Sequence, residues 1–407
     1  MKPVKVSENL AKEFRPAKHC RWIIRAFRLF NSLSLAWHNR LRLNLHDLET
    51  LKNIPKNSGL ILTANHSDEI DPLVCFELSQ RANRRFTCMI NAEAFEQWRG
   101  VYGWWLQRLG GFSVERGGSD QAARRYAVEI VKNERDILVM FPEGEISYLN
   151  KRVQPFKTGA IHIGLQAITE NRRIYSSWTA YILPVAIKYR YCKPIELILN
   201  EKMRAIEKRL LLQANFFTFQ ERIIRIMTKI LKLPELNNSA QTISEQLSRL
   251  EEETRQAQAA LLSNVESKYP QFKADTKARL TDRAQKIIFF LREELRGKKF
   301  FSSEATTQLR NHIRDLKKSI QMSGWQPKYI DLTPSEEQLA ETVMKLEREV
   351  FGLKKPRALG NREVFVRIGN PVNLEHYVDA YQKNPSILAH QIAEELRDNI
   401  QLLIEGM

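Results

Sequence analysis

Short blocks of consecutive apolar residues alternate with three-to-four-residue periodicity over the first half of the chain. Leu60–Ala64 reads as a buried strand, and Arg85–Asn91, Ile137–Phe141 and Ile182–Tyr189 read as further strands. Pro72–Leu78, Gln121–Asn133 and Gly159–Ile168 between them read as helices. Strands alternating with helices predict an α/β body, a mostly parallel sheet flanked by helices. After Tyr191 the pattern changes. From Lys193 to Gly360 strand signals fade, and Ile243, Leu247, Leu250, Thr254, Ala257 and Leu261 recur at alternating spacings of four and three. Those are about two and a half heptads, which suits a helical hairpin or small bundle better than an extended coiled coil. Strand character returns in Val364–Val372, and Ile387–Ile404 closes the chain as a helix. The expected organisation is therefore an N-terminal segment (1–42), an α/β core (43–191), a large all-helical insertion (192–362) and a C-terminal strand and helix completing the core (363–407). A separate C-terminal domain would leave the last strand without a sheet.

Charge sharpens this division. Residues 1–42 hold ten Lys and Arg against two acids, and 192–362 hold 32 against 22, while the rest is near neutral within an overall +17. A basic surface attracts nucleic acid or an anionic membrane. Arg21–Trp37 favours the membrane. Trp22, Ile23, Ala26, Phe27, Phe30, Leu33 and Trp37 fall at helical spacing, and Arg21, Arg25 and Arg28 lie mostly off that stripe. This suits an amphipathic helix in the headgroup region; the alternative is a terminal helix packed on the body. No apolar run reaches the ~18–20 residues that cross a bilayer, and no secretory signal is evident. Cys20, Cys75, Cys88 and Cys192 form no CxxC pair, which suits a reducing compartment. The expectation is peripheral association with the cytoplasmic face of a membrane.

Candidate chemistry lies in Thr63-Ala-Asn-His-Ser-Asp-Glu-Ile-Asp-Pro72. His66 and Asp71, five apart, share no helix face. They meet if His66 lies in a turn and Asp71 caps the helix that Pro72 opens; otherwise Asp71 is only a cap. Three further segments follow: Gly110–Arg116, Phe141-Pro-Glu-Gly-Glu145 after a strand, and Leu183-Pro-Val-Ala-Ile187 within one.

In this order the four segments resemble the motifs of the glycerolipid acyltransferase family, which contains 1-acyl-glycerol-3-phosphate acyltransferase. Asn65, His66 and Asp71 match Asn-His-x4-Asp, Gly110 to Arg116 the second motif, Phe141 to Gly144 Phe-Pro-Glu-Gly, and Pro184 the fourth. The resemblance covers residues ~40–191 and, more weakly, ~363–404. It implies transfer of a fatty acyl group from acyl-CoA or acyl-carrier protein to a lysophospholipid hydroxyl, most directly that of 1-acyl-glycerol-3-phosphate; glycerol-3-phosphate or another lysophospholipid is the alternative acceptor. No metal or cofactor is called for, because the thiolate is a good leaving group. His66 would take the hydroxyl proton and Asp71 would fix its tautomer. Asn65 and Gly110 join the expected substrate-binding set. Arg116 would hold a substrate phosphate, or else form a surface ion pair with Glu115 or another carboxylate. Glu143 would bind a glycerol hydroxyl or orient Arg116, or else be a buried structural carboxylate. Gly144 would permit close backbone approach. The third motif commonly continues Thr-Arg-Ser, whereas this chain has Glu145-Ile146-Ser147. The second family arginine is thus missing, and Lys157 is the candidate to replace it unless it merely faces solvent. His162 and His390 read as packing or surface residues. The rival classes are a catalytically idle membrane scaffold and a nucleic-acid binder; no recognised motif supports the latter.

Overall fold

The computed structural model describes residues 14–37, 39–43, 45–118, 120–175, 177–213, 217–234, 242–272, 278–297, 302–330 and 333–407. The basic residues before Phe14, and the Trp37 side chain, lie outside the described residues. The first half runs α1 (Arg21–Trp37), β1 (Asn39–Leu43), α2 (Leu45–Asn53), β2 (Gly59–Ala64), α3 (Asp71–Arg81), β3 (Arg85–Asn91), α4 (Ala92–Phe95) and α5 (Val101–Leu109). It continues with β4 (Gly111–Val114), α6 (Gln121–Lys132), β5 (Asp136–Met140), α7 (Gly159–Asn171) and β6 (Ala180–Tyr191). Six helices follow: α8 (Glu196–Leu210), α9 (Phe219–Leu231), α10 (Ile243–Glu266), α11 (Leu280–Gly297), α12 (Ser303–Met322) and α13 (Glu336–Phe351). The chain ends with β7 (Arg362–Ile368), β8 (Val372–Asn373), α14 (Val378–Lys383) and α15 (Pro385–Glu405).

The sheet order is β1-β7-β6-β2-β5-β3-β4, with β8 also on β6. Pairings are parallel except those of β6 with β7 and β8. β2 and β5 are buried along their whole length, which is why they read as unbroken apolar runs. Ile61 of β2 faces a core with α6, α7 and α15. Leu60, Leu62 and Ala64 face another with α1, α2 and α3. This is the expected α/β architecture.

α8 to α13 leave from the end of β6 and return at β7, its antiparallel neighbour, so the sheet is continuous across the helical stretch. Two cores hold these helices. Leu199, Ile206, Ile223, Leu247 and Val343 belong to one, which also takes in Leu149 of the body. Leu262, Val265, Ile287, Leu291 and Leu316 belong to the other, so α10 spans both, α11 sits on the second, and α12 sits on it too while its last residue, Met322, reaches the first.

Three details differ from the sequence reading. Asn39–Leu43 is an edge strand in parallel register with Arg362–Val366, so the boundary at residue 42 falls inside the sheet. Its Asn-Arg-Leu-Arg-Leu alternation is a half-exposed edge pattern masked by basic composition. Residues before α1 also dock on the body: Lys18 N–H donates to the Gln107 carbonyl at 2.8 Å and Cys20 N–H to that of Arg108 at 3.0 Å. Finally, Val364–Val372 is two strands, broken at Gly369-Asn-Pro371, where proline has no N–H for the ladder.

Candidate active site

The carboxyl ends of β2, β4 and β5 lie at one edge of the parallel sheet, where open α/β folds bind ligands. Asn65 leaves β2 and fastens it to β6: its Nδ2 donates to the Ile187 carbonyl at 2.9 Å, and its Oδ1 accepts from the Ile187 amide at 2.8 Å. That makes Asn65 a backbone clamp between the two strands. His66 then sits in the turn, with Nδ1 2.9 Å from Asp71 Oδ2. Asp71 is fully buried, and Ile70 rather than Asp71 is the N-cap of α3. The carboxylate instead turns back, accepting from Asp68 N–H at 2.9 Å and from the Tyr189 hydroxyl. Burial pushes Asp71 above its ordinary pKa, opposed by the hydrogen bonds from His66 and Tyr189. With Nδ1 engaged, Nε2 is the ring nitrogen that could act as a base.

Tyr189 is a residue that sequence reasoning missed. β6 overruns β2: Ala64 is opposite Val185, so Tyr189 projects past the end of β2 toward Asp71. Asn150 holds its backbone through bonds of 2.6 and 2.7 Å. The Arg362 guanidinium lies 4.6 Å from the Tyr189 ring centroid and pairs with Asp68 at 2.7 Å. The only sequence signal was a polar-tipped aromatic at the end of a buried strand.

The loop after β5 builds the opposite wall. The Phe141 ring stacks on His66 with centroids 4.2 Å apart. Glu143 Oε1 accepts from the His66 amide at 2.7 Å, so this carboxyl holds the turn and does not orient Arg116. Burial pushes Glu143 up to about 8, against the opposing pull of that hydrogen bond. The folded state therefore favours the protonated side chain. Its stabilising contribution is full below the ordinary value of 4.5, declines as pH rises, and is gone above about 8. Glu143→Gln keeps a neutral acceptor for the His66 amide. Melting curves from pH 5 to 8.5 should show wild type losing stability relative to Glu143→Gln as pH rises. Parallel curves would refute a neutral Glu143.

Arg116 follows β4 and pairs with Glu145 at 2.8 Å, the very residue at which the third motif departs from the family pattern. Gly144 has φ +82, and a Cβ there would lie 2.8 Å from Lys157 Cε. Lys157 precedes α7, and its Nζ pairs with Asp282 of α11 at 2.6 Å. One loop thus ties His66, through Phe141 and Glu143, to Arg116 through Glu145. Gly110 has a backbone task at the end of a helix. It ends α5 with φ +104, and a Cβ would strike the Phe86 carbonyl and lie 2.7 Å from His19 Nε2. His162 meets the Tyr381 hydroxyl at 2.5 Å, and His390 Nδ1 contacts the Ser386 carbonyl, both away from this cluster in packing or surface roles. Among the described residues no group of three His, Cys, Asp or Glu is placed to hold a metal ion.

Residues 44–188 match the sequence profile of the family described as Acyltransferase. Among curated proteins, the 1-acyl-sn-glycerol-3-phosphate acyltransferase of Streptococcus pneumoniae (strain ATCC BAA-255 / R6) is 26% identical over 110 residues. That alignment covers 27% of this chain and 39% of the relative.

Proposed function

We propose, from the match of residues 44–188 to the Acyltransferase family and the likeness to a 1-acyl-sn-glycerol-3-phosphate acyltransferase, that the chain acylates the free hydroxyl of 1-acyl-glycerol-3-phosphate, with acyl-CoA or acyl-carrier protein as donor. The observation that carries this reading is the His66–Asp71 pair at 2.9 Å, with Asp71 buried and triply hydrogen-bonded. The substrate oxygen attacks the thioester carbonyl carbon while His66 Nε2 accepts its proton. Asp71 stabilises the imidazolium. The C–S bond then breaks, and the proton passes from His66 to the departing thiolate. The nucleophile belongs to the substrate, so Ser67 has no covalent role.

Arg116 and Lys157 are the cations we assign to the acceptor phosphate. Arg116→Ala should raise the apparent KM for the acceptor about tenfold or more and leave the donor's KM nearly unchanged. Equal effects on both would assign Arg116 to a structural ion pair. The decisive assay offers labelled acyl-CoA and acyl-carrier protein with 1-acyl-glycerol-3-phosphate, glycerol-3-phosphate and other lysophospholipids. Transfer to none of them would refute the reading.

The proposal includes peripheral membrane association. In α1, Ile24, Phe27 and Leu35 pack on the body, Phe27 edge-on to Phe76 at 5.2 Å. Trp22, Ala26, Leu29 and Leu33, spaced four, three and four apart, face outward with Phe30. α5 lies against α1 and adds the exposed Trp104 and Trp105, preceded by exposed Trp98. Arg25 and Arg108 stack on Trp22 and Trp104. Aromatic residues flanked by arginine suit the headgroup zone. No helix among the described residues is long and apolar enough to cross a membrane.

A further inference from the structure

The two cations assigned to the acceptor phosphate are both countered by carboxylates, and the helical insertion supplies one of them. Lys157 Nζ lies 2.6 Å from Asp282 Oδ1 of α11. Arg116 lies 2.8 Å from Glu145, whose other oxygen accepts from Gln285 Nε2 of α11 at 2.5 Å. The four charged groups sum to zero where a site built for a phosphate monoester alone would be positive.

The seat of α11 on the body is built into the backbone. Gly117 and Gly118 directly follow Arg116. Gly117 has φ +85, and any Cβ there would collide with the Gln285 carbonyl; a Cβ on Gly118 would fall 2.8 Å from the Phe289 ring. Arg279, just before the helix, donates to the Pro155 and Phe156 carbonyls at 2.8 and 2.9 Å, which fixes α11 beside Lys157. At its far end Arg292 pairs with Glu93 of the body. Two glycines and a carbonyl clamp at this spot make Asp282 and Gln285 fixed parts of the acceptor end.

We propose that α11 is a wall of the acceptor site and that Asp282, with Glu145 held by Gln285, sets headgroup selectivity, lowering the preference for a phosphate monoester relative to a zwitterionic phosphodiester. The proposal rests on the acyl-transfer reading for the placement of the acceptor at Arg116 and Lys157. A phosphate monoester carries about −1.5 to −2 at neutral pH, so each carboxylate opposes it. A phosphodiester bearing an ammonium group offers one anion to the cations and one cation to the carboxylates. That pattern complements an alternating array of charges, and like-charge opposition is how sites reject the wrong ligand.

The test uses the full chain with 1-acyl-glycerol-3-phosphate and 1-acyl-glycerophosphoethanolamine of one chain length in the same mixed micelles. The readout is the ratio of their kcat/KM values, monoester over zwitterion. Asp282→Asn and Glu145→Gln should each raise it about three- to fivefold, and the double variant about tenfold, the range for partly exposed ion pairs. Lys157→Met in the Asp282→Asn background should cancel that variant's gain. An unchanged ratio in the folded double variant would overturn the proposal. So would a change confined to the donor's KM, which would give the cations to the phosphates of CoA. Kd values for the two acceptors, measured without donor, give a second readout, and the same substitutions should shift their ratio in the same direction. Absence of turnover in wild type therefore counts against acyl transfer alone, while the Kd ratio still decides the role of α11. If one substitution unfolds the chain, the other single variant decides.

Discussion

His66→Ala should lower acyl transfer about 10²–10⁴-fold, the usual cost of removing a general base, while the protein stays folded. The His66 backbone is held independently of its ring: its amide donates to Glu143 and its carbonyl accepts from Ser147 N–H at 2.8 Å. Asp71 separates charge from structure. Asp71→Asn keeps the size and much of the hydrogen bonding, but it no longer fixes the imidazole with its proton on Nδ1. Turnover should fall by a similar order, with a small change in melting temperature. Asp71→Ala goes further, leaving the buried Tyr189 hydroxyl and the Asp68 amide without their acceptor. Each such orphan costs about 1–3 kcal/mol, more than loss of a simple helix cap. Wild-type turnover by purified, folded His66→Ala would sink the mechanism. Retained activity in Asp71→Asn would show that charge on Asp71 is dispensable.

The legible parts of this fold are those with a local signature. β2 and β5 are buried throughout and mostly apolar because helices cover both sides of the sheet, and His66 and Asp71 stand five apart in one turn. What sequence could not show depends on distant register. Tyr189 reaches Asp71 across 118 positions only because β6 overruns β2. Asn65 reads as a motif residue, yet its bonds go to a strand 122 positions away. Glu145 stood out as a departure, but its partner Arg116 is known only once β4 and the loop after β5 come together. The spacing in α10 predicted a helix whose neighbours it could not name, so α11 over Lys157 and Gly117 was invisible. In α1 apolar residues occupy both faces, which is why Phe27 and Phe30 merged into one stripe although one is packed and the other exposed.

Replacing Trp22, Phe30 and Leu33 together by serine should lower affinity for anionic vesicles roughly 10³-fold. Each large apolar side chain withdrawn from water contributes about 1.5 kcal/mol at the lower end, and 1.4 kcal/mol is tenfold. Trp22 is 77% exposed, so its substitution disturbs little internal packing. This apolar contribution is not screened by salt. The arginine contribution is: each basic residue near an anionic surface adds about 1 kcal/mol, lost within a Debye length of ~8–10 Å. Substituting Arg21, Arg25 and Arg28 by glutamine should therefore weaken binding mainly at low ionic strength. Trp98→Ser with Trp105→Ser tests the adjoining surface of α5 and should add to the loss from α1. Deleting the whole N-terminal segment is a poorer experiment, because it removes β1 and its register with β7. Sedimentation with vesicles at two salt concentrations separates the contributions. If the triple serine variant binds like wild type while high salt abolishes binding, contact runs through basic residues alone; if the arginine variant also binds like wild type, the insertion, with its 32 Lys and Arg, becomes the membrane-facing element.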